Sequence, residues 1–481
     1  MKSRNMYRLT KISLIATIAA LFLSGCSVPK LVAPPDVKPA PATYGQQSDT
    51  TNSAQIKWTE FFKDTNLVAL IDTALLNNFD LRSADQDIII SQNDVLIRKA
   101  LLYPTVSAGG SLGLDKTGRY TASGAGNAAT DITHGHRVPE PLPDIVLGFK
   151  TSWEADIWSK LKNSRKAAFL RYLKTKEGKN FLITNLVADI ANTYYDLIAA
   201  DNQLDVLTNT IKLQQNALEV VKNQKQAAMT TELAVKQFEA QVANSKSQIF
   251  DIRQRIFENE NKINFLIGRY PRTVQRDKNA LLNGTPPLIH TGIPAQLLAN
   301  RPDIRQAELE LEAAKLDVKA ARAEFYPSLG ISGAVGYQAF NPKYLFRPLE
   351  SLAFSLAGDI SAPIINRGAI KAEFNKANAT QLMALYDYQK TILNGYIEVS
   401  NELSRMDQLD QLYGTKSQET NLLNQSVDIS QDLFKSARAD YLEILIAQRD
   451  AINANLDKID ARKNQFTTAV NIYKALGGGW R

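Results

Sequence analysis

Cysteine occurs once in 481 residues and histidine three times. One cysteine excludes an internal disulfide, and three histidines leave little from which to build a zinc or redox centre. Beyond the first two dozen residues, no apolar run reaches the roughly 18–20 residues that a membrane helix requires, and mean hydropathy is −0.23. A chain of this kind enters a membrane only as a β-barrel. Helix breakers are missing over a long stretch: Lys179 to Ile267 contains neither glycine nor proline, far beyond an ordinary globular helix. A strong excess of one charge is missing too. Of 56 basic residues, Lys2, Arg4, Arg8 and Lys11 fall in a removable leader, which leaves 52 against 49 acids. No Lys/Arg block with interleaved aromatics stands out, so the pI near 9.1 does not point to nucleic acid.

The leader is itself informative. Residues 1–25 read as a signal peptide, with a basic start and the apolar stretch Ile12–Leu23. It ends in Leu23-Ser24-Gly25-Cys26, which resembles the bacterial lipobox. In that pattern the cysteine is acylated through sulfur and becomes the mature N-terminus, so Cys26 is the candidate lipidation site. Ser27 is not the Asp that retains lipoproteins in the inner membrane, which favours sorting to the outer membrane. Acyl chains anchor at about 0.8 kcal/mol per buried CH₂. Pro29, Pro34, Pro35, Pro39 and Pro41 then mark an extended tether, with ordered structure expected from about Trp58 and Phe61.

The body repeats itself. Tyr103-Pro104-Thr105-Val106-Ser107-Ala108-Gly109-Gly110 echoes Tyr326-Pro327-Ser328-Leu329-Gly330-Ile331-Ser332-Gly333. Each copy follows a helix-like stretch and precedes two alternating segments and a very long helical one, which implies a duplicated unit. A heptad runs through Ile183, Leu186, Ile190, Thr193, Leu197, Ala200, Leu204, Leu207, Ile211, Gln214, Leu218 and Val221. A second runs through Leu382, Leu385, Gln389, Ile392, Tyr396, Val399, Leu403 and Met406. At 1.5 Å per residue, a helix from about 160 to 228 spans on the order of 100 Å. Breaks at Met229-Thr230-Thr231-Glu232 and Ser436-Ala437-Arg438-Ala439-Asp440 read as hairpin tips.

Four segments alternate with period two: 105–114, 145–154, 328–337 and 352–361. Apolar sets such as Ile145, Leu147, Phe149, Thr151 and Trp153 oppose small or polar sets such as Val146, Gly148, Lys150, Ser152 and Glu154. Each is close to the roughly 9–11 residues that cross a bilayer as a tilted strand. Four strands in two distant pairs cannot close a barrel, and lipid permits no open edge. Two chains would give eight strands, nearly filled by side chains; three would give twelve, enough for a channel.

The combination resembles the TolC-like outer-membrane efflux family, in its lipoprotein branch that works with resistance-nodulation-division pumps (OprM/NodT-like). The motifs are Arg301-Pro302-Asp303-Ile304-Arg305-Gln306-Ala307-Glu308, then Ala321-Arg322-Ala323-Glu324-Phe325-Tyr326-Pro327-Ser328, and the ending Gly477-Gly478-Gly479-Trp480. Pro363-Ile364-Ile365-Asn366-Arg367-Gly368 is similar to the family's PIFNRG segment, with Ile365 for the usual Phe.

The resemblance implies a mainly α fold with a membrane β-barrel, in which four strands per chain complete a twelve-stranded barrel in a homotrimer. Below it come a long α-helical coiled-coil periplasmic tunnel and an equatorial belt, with an internal two-fold repeat. The implied parts are a signal peptide (1–25), a lipid-anchored Pro-rich tether (26–57), a first helix and equatorial region (58–102), and a first strand pair (103–154) and helical hairpin (155–269). An equatorial linker (270–302), a second helix (303–325), strand pair (326–362) and hairpin (363–476), and a tail (477–481) follow.

The implied role is a passive, gated exit duct for drugs or other small toxic compounds in the outer membrane of a Gram-negative bacterium. It is not an enzyme, needs no cofactor besides the lipid on Cys26, and binds no nucleic acid. An inner-membrane pump and a periplasmic adaptor are the implied partners. In the family an acidic ring follows the second tip; Glu443 matches its first member, whereas Ile446 stands where some members have a second Asp. Arg438 and Asp440 are candidates for tip ion pairs. Met229, Thr230, Thr231, Glu232 and Ala439 are the expected adaptor contacts.

His134 and His136 lie in an expected outer loop without companions, and a solvated loop is favoured over a metal site. Gly477–Gly479 lacks the Lys-Ser/Thr of a phosphate loop. A duct for protein secretion and a lipid-tethered coiled coil without a pore are the competing readings; the lipobox and the final motif favour small-molecule efflux.

Overall fold

The computed structural model describes Pro29 and residues 41–44, 50–347, 349–362, 367–436 and 438–481. The expected signal peptide and lipidation site Cys26, most of the expected tether, Pro363–Asn366 and Ala437 lie outside the described residues. Side chains that accept from free backbone N–H groups set the helix starts. Asp64 accepts from Asn66 and Leu67 at 2.8 and 3.4 Å and opens α1 (Thr65–Asn77). Asn78 accepts from Leu81 at 3.0 Å at the head of α2 (Phe79–Ala100). After β1 (Thr105–Asp115) and β2 (Leu142–Ala155), the Asp156 carboxylate accepts from Leu161 and Lys162, each at 2.9 Å. It opens α3 (Lys160–Gln226), 67 residues long, and Thr231 caps α4 (Glu232–Leu266). Pro302 occupies the first position of α5 (Pro302–Ala323), where a missing N–H costs nothing. Then come β3 (Ser328–Ala339), β4 (Leu352–Ser361), α6 (Arg367–Lys435) with 69 residues, and α7 (Tyr441–Ala475), capped by Asp440. No described helix is long and apolar enough to cross a membrane.

The chain forms two compact units. One is built on Ile90–Tyr172 and Glu310–Leu385; the other on the described residues between 41 and 89, on Leu173–Leu309 and on Tyr386–Arg481.

The first unit holds one antiparallel sheet in the order β1-β2-β3-β4. The two strand pairs, distant in sequence, are joined: β2 pairs with β3 from Ile145 opposite Ala339 to Ala155 opposite Leu329. Pairing satisfies the inner edge of each hairpin with that of the other, leaving only the outer edges bare. Beside the sheet, Phe325 meets Phe374 edge to face at 5.9 Å, and Arg171 reaches Glu310 at 3.1 Å and Asp317 at 2.5 Å.

The second unit is a helical core. Of the first heptad only Ile183 and Leu204 are half-buried and the rest are buried; of the second, the part in this unit (Gln389 to Met406) has only Val399 fully covered. Phe61 stacks on Tyr473 at 4.1 Å, and the Tyr473 hydroxyl donates to the Ile56 carbonyl at 2.7 Å.

The Arg-Pro-Asp motif has a structural reason. The Arg301 guanidinium, 9% exposed, donates to Asp303 (3.0 and 2.7 Å), to Glu398 (2.8 Å) and to the Ala475 carbonyl (2.7 Å). It thereby ties the start of α5 to α6 and to an otherwise unpaired carbonyl at the end of α7. The glycines that follow α7 make this possible. Gly477 has φ +92°, and a Cβ there would lie 2.5 Å from the Asn300 carbonyl oxygen. Trp480 Nε1 then donates to the Gly477 and Asn300 carbonyls at 2.9 and 3.2 Å. Removing the guanidinium leaves its carboxylates without their cation. Arg301→Ala is therefore expected to cost about 3 kcal/mol, read as a fall in the denaturant midpoint of the purified protein by helical circular dichroism.

Candidate functional site

The register of the sheet sorts its side chains completely. Residues opposite each other in an antiparallel pair share a face. Val106, Thr151, Gly333 and Leu356 form one row, and Ala108, Phe149, Val335 and Phe354 the next; Gly110, Leu147, Tyr337 and Leu352 follow. The apolar sets of all four strands thus lie on one face, and several of their large members stand open: Leu112 is 79% exposed, Phe354 81% and Leu356 80%. The other face carries Ser107, Lys150, Ala334 and Ser355 in one row and Gly109, Gly148, Gly336 and Ala353 in the next.

Gly148 and Gly336 explain how the sheet bends. A Cβ on Gly148 would sit 2.6 Å from the Gly336 Cα, and one on Gly336 would sit 2.6 Å from the Gly148 Cα. Both would point to the small-residue face, so the strands converge there and the sheet curls toward it. Aromatic groups mark the ends of β2 and β3 next to the helices: Trp158 stacks on Tyr326 at 4.6 Å and donates to the Pro327 carbonyl at 2.7 Å, while Trp153 donates to the Leu102 carbonyl at 3.1 Å. Among the described residues β1 pairs only with β2 and β4 only with β3, so each presents an unpaired edge.

At the first tip, Ala228 has φ +57°, and the Met229 N–H donates to the Gln224 carbonyl at 2.8 Å, which ends α3 in a tight left-handed turn. Lys225 pairs with Glu232 across the turn, and Lys236 with Glu239 at 2.9 Å. The Lys225 ammonium holds the Glu232 carboxyl below the usual carboxylate range, and Glu239 raises the Lys236 ammonium. Met229 (67%) and Leu233 stand exposed among these pairs, with Thr231 exposed and Thr230 half-exposed.

At the second tip, Asp440 accepts from the Tyr441 N–H at 2.6 Å. Ile444 is buried with Leu218, Val221 and Phe238 of the first hairpin, so the two tips pack together. Glu443 and Arg438 are exposed, and Ala439 is half-buried. The structure does not bring Arg438, Asp440 and Glu443 into ion pairs with one another or with any other described residue of the chain. The lysine–glutamate web at the first tip went unread in the sequence, although the three- and four-residue spacings of Glu232, Lys236 and Glu239 carry its signal. His134 and His136 flank Gly135 (φ +80°) in a short hairpin, and no described cluster of three His, Cys, Asp or Glu side chains is found.

The family model described as outer membrane efflux protein matches residues 70–269 and 293–478. The chain belongs to that family. Its members are transport ducts of the outer membrane, so the chain is an efflux duct and not an enzyme. It is 29% identical to a solvent efflux pump outer membrane protein of Pseudomonas putida, over 98% of this chain and 99% of that one. It is 26% identical to the cation efflux system protein CusC of Escherichia coli, covering 97% and 99%. It is also 26% identical to a probable outer membrane lipoprotein, SilC, of Salmonella typhimurium, covering 98% and 99%. Among solved structures, CusC superposes with a TM-score of 0.82 at 24% identity, over 94% of this chain and all of that one. The open state of the MtrE channel of Neisseria gonorrhoeae superposes with 0.81 at 23%, over 95% and 99%.

The convergence at Gly148 yields a test of the sheet. Gly148→Ala places a methyl against backbone and is expected to cost about 3 kcal/mol. Gly330→Ala meets nothing nearer than 3.8 Å and is expected to be nearly silent. Urea titration of the protein in lipid vesicles compares the two.

Proposed function

We propose that three copies of the chain close a twelve-stranded barrel and that this homotrimer is the exit duct of a tripartite pump of the resistance-nodulation-division type. The observation that carries the reading is the sheet: apolar on one face, small and polar on the other, curled toward the polar side and bare along both edges. Lipid offers no hydrogen-bond partner for those edges. Joining β1 of one copy to β4 of the next satisfies them, puts the apolar rows against acyl chains and leaves the polar rows around water. The duplicated order of helix, strand pair and long hairpin supports a tunnel in which two hairpins per copy alternate. Cys26, acylated, tethers the chain to the outer membrane.

The solutes are small toxic compounds, in keeping with the solvent and cation pumps named for the relatives; a periplasmic adaptor and an inner-membrane pump supply energy and choice. Met229, Thr230, Thr231, Glu232 and Ala439 face the adaptor. Glu443, Arg438 and Asp440, without an ion-pair partner among the described residues, meet their partners between chains and hold the periplasmic end closed.

In planar bilayers the purified protein is expected to give stepwise conductance and to run on gels as a heat-sensitive trimer. A heat-indifferent monomer without conductance would instead support a poreless envelope coiled coil. Glu443→Ala should raise single-channel conductance severalfold and sensitise cells to large antibiotics; if both stay at wild-type values, the gate lies elsewhere. Cysteines at Met229, Thr230, Thr231 and Ala439 should cross-link to an adaptor in cells, and failure at all four positions would refute the docking.

A further inference from the structure

The small-residue face of the sheet is nearly free of charge in its middle rows. Across Thr105, Ser152, Ser332 and Ala357, then Ser107, Lys150, Ala334 and Ser355, then Gly109, Gly148, Gly336 and Ala353, Lys150 is the only charged residue. A cavity of about 400 Å³ on this face is lined by Lys150 with Thr105, Ser107, Ser152, Ser332 and Ser355. A second, of about 190 Å³, extends along the glycine row and shares Lys150, Ala334 and Ser355 with it.

The hydroxyls are not all committed. Thr105 donates to the Ser152 carbonyl at 3.0 Å, and Ser107 approaches the Lys150 carbonyl at 3.5 Å. The Ser332 and Ser355 hydroxyls and the Lys150 ammonium have no partner among the described residues. The nearest carboxylates on the same face are Glu154 and Asp359, on either side of Gly330, and Glu154 is already held by Lys160 at 2.5 Å. The Ser152 hydroxyl is paired with that of Thr105 at 2.9 Å, so the lysine charge stands uncompensated beside two free hydroxyl donors, Ser332 and Ser355.

We infer that Lys150 and the hydroxyls around it form a subsite for the anionic group of a passing solute, a carboxylate or sulfonate on an apolar body. The inference rests on the duct reading, in which this face lines the lumen. An ammonium and the two free O–H groups are donors that a carboxylate or sulfonate accepts from. The neighbouring Gly148, Gly336, Ala334 and Ala353 leave room for the apolar part. Three copies of Lys150 around the lumen also bias small-ion passage toward anions, most strongly at low ionic strength.

The test uses the full trimer in planar bilayers, with naphthalene-2-sulfonate as anionic blocker and naphthalene-2-methanol as its neutral counterpart. Lys150→Gln is expected to weaken block by the sulfonate about tenfold and to leave block by the alcohol unchanged. Lys150→Glu should move the reversal potential in a KCl gradient toward cation preference. Lys150→Cys should react with a water-soluble, membrane-impermeant thiol reagent while the channel conducts. Equal sulfonate block and equal reversal potentials in wild type and variants overturn the subsite. So does an unreactive Lys150→Cys in a conducting channel, which would place the residue outside the lumen. A wild-type protein that never conducts overturns the duct reading itself, and the subsite with it.

Discussion

A β-strand edge in hydrocarbon has nowhere to put its N–H and C=O groups, and each orphan costs several kcal/mol. The chain carries two such edges, the outer sides of β1 and β4, beside a face whose largest side chains are apolar and open. In water the apolar face is the problem, since each large side chain left exposed forgoes about 1.5–3 kcal/mol of burial. In lipid the edges are the problem. The proposed closure through further copies of the chain would remove both, and the close approach of the strands at Gly148 and Gly336 bends the sheet locally toward its small-residue face. The in-chain pairing of β2 with β3 halves the task, because two hairpins would present four edges and the joined sheet presents two.

The helices face a milder form of the same constraint. Helix α3 has its stripe covered by its own chain, from Leu186 through Leu197 and Leu207 to Val221. Helix α6 does not: Met383, Tyr386, Leu393 and Ile397 stay exposed, and most of its second heptad is only half-buried. A helix of 69 residues with an uncovered stripe is stable only where something packs on that stripe. The two halves of the protein therefore ask for neighbours for different reasons, one through hydrogen bonds and the other through apolar area.

Period-two alternation was enough to find the strands: the segments read at 105–114, 145–154, 328–337 and 352–361 coincide with β1 to β4 to within three residues at each end. Alternation says which side a residue faces and nothing about which strand lies next to it, so the joining of Ile145–Ala155 to Leu329–Ala339 was invisible. The helix tips were legible for a local reason, a break in the heptad. The role of Arg301 was not legible, because its partners Glu398 and Ala475 lie 97 and 174 positions away. Lys150 was legible as to face but not as to surroundings. Its significance depends on the cross-strand rows that leave it without a counter-charge, and rows exist only once register is known.

The two tips differ in a way that bears on gating. The first is stitched within its own chain by Lys225 to Glu232 and Lys236 to Glu239, leaving Met229 and Leu233 on a braced turn. At the second, Arg438 and Glu443 are exposed and form no ion pair with another described residue. Charges satisfied at home have little to offer a neighbour; uncommitted ones can pair across a three-fold axis. Exposed ion pairs contribute about 0–1 kcal/mol each, so in the proposed homotrimer three of them would hold a closed end by a few kcal/mol at most. That is weak for a structural lock and suitable for one that a docking partner must open, since contacts of ordinary size at the braced tip can outweigh it.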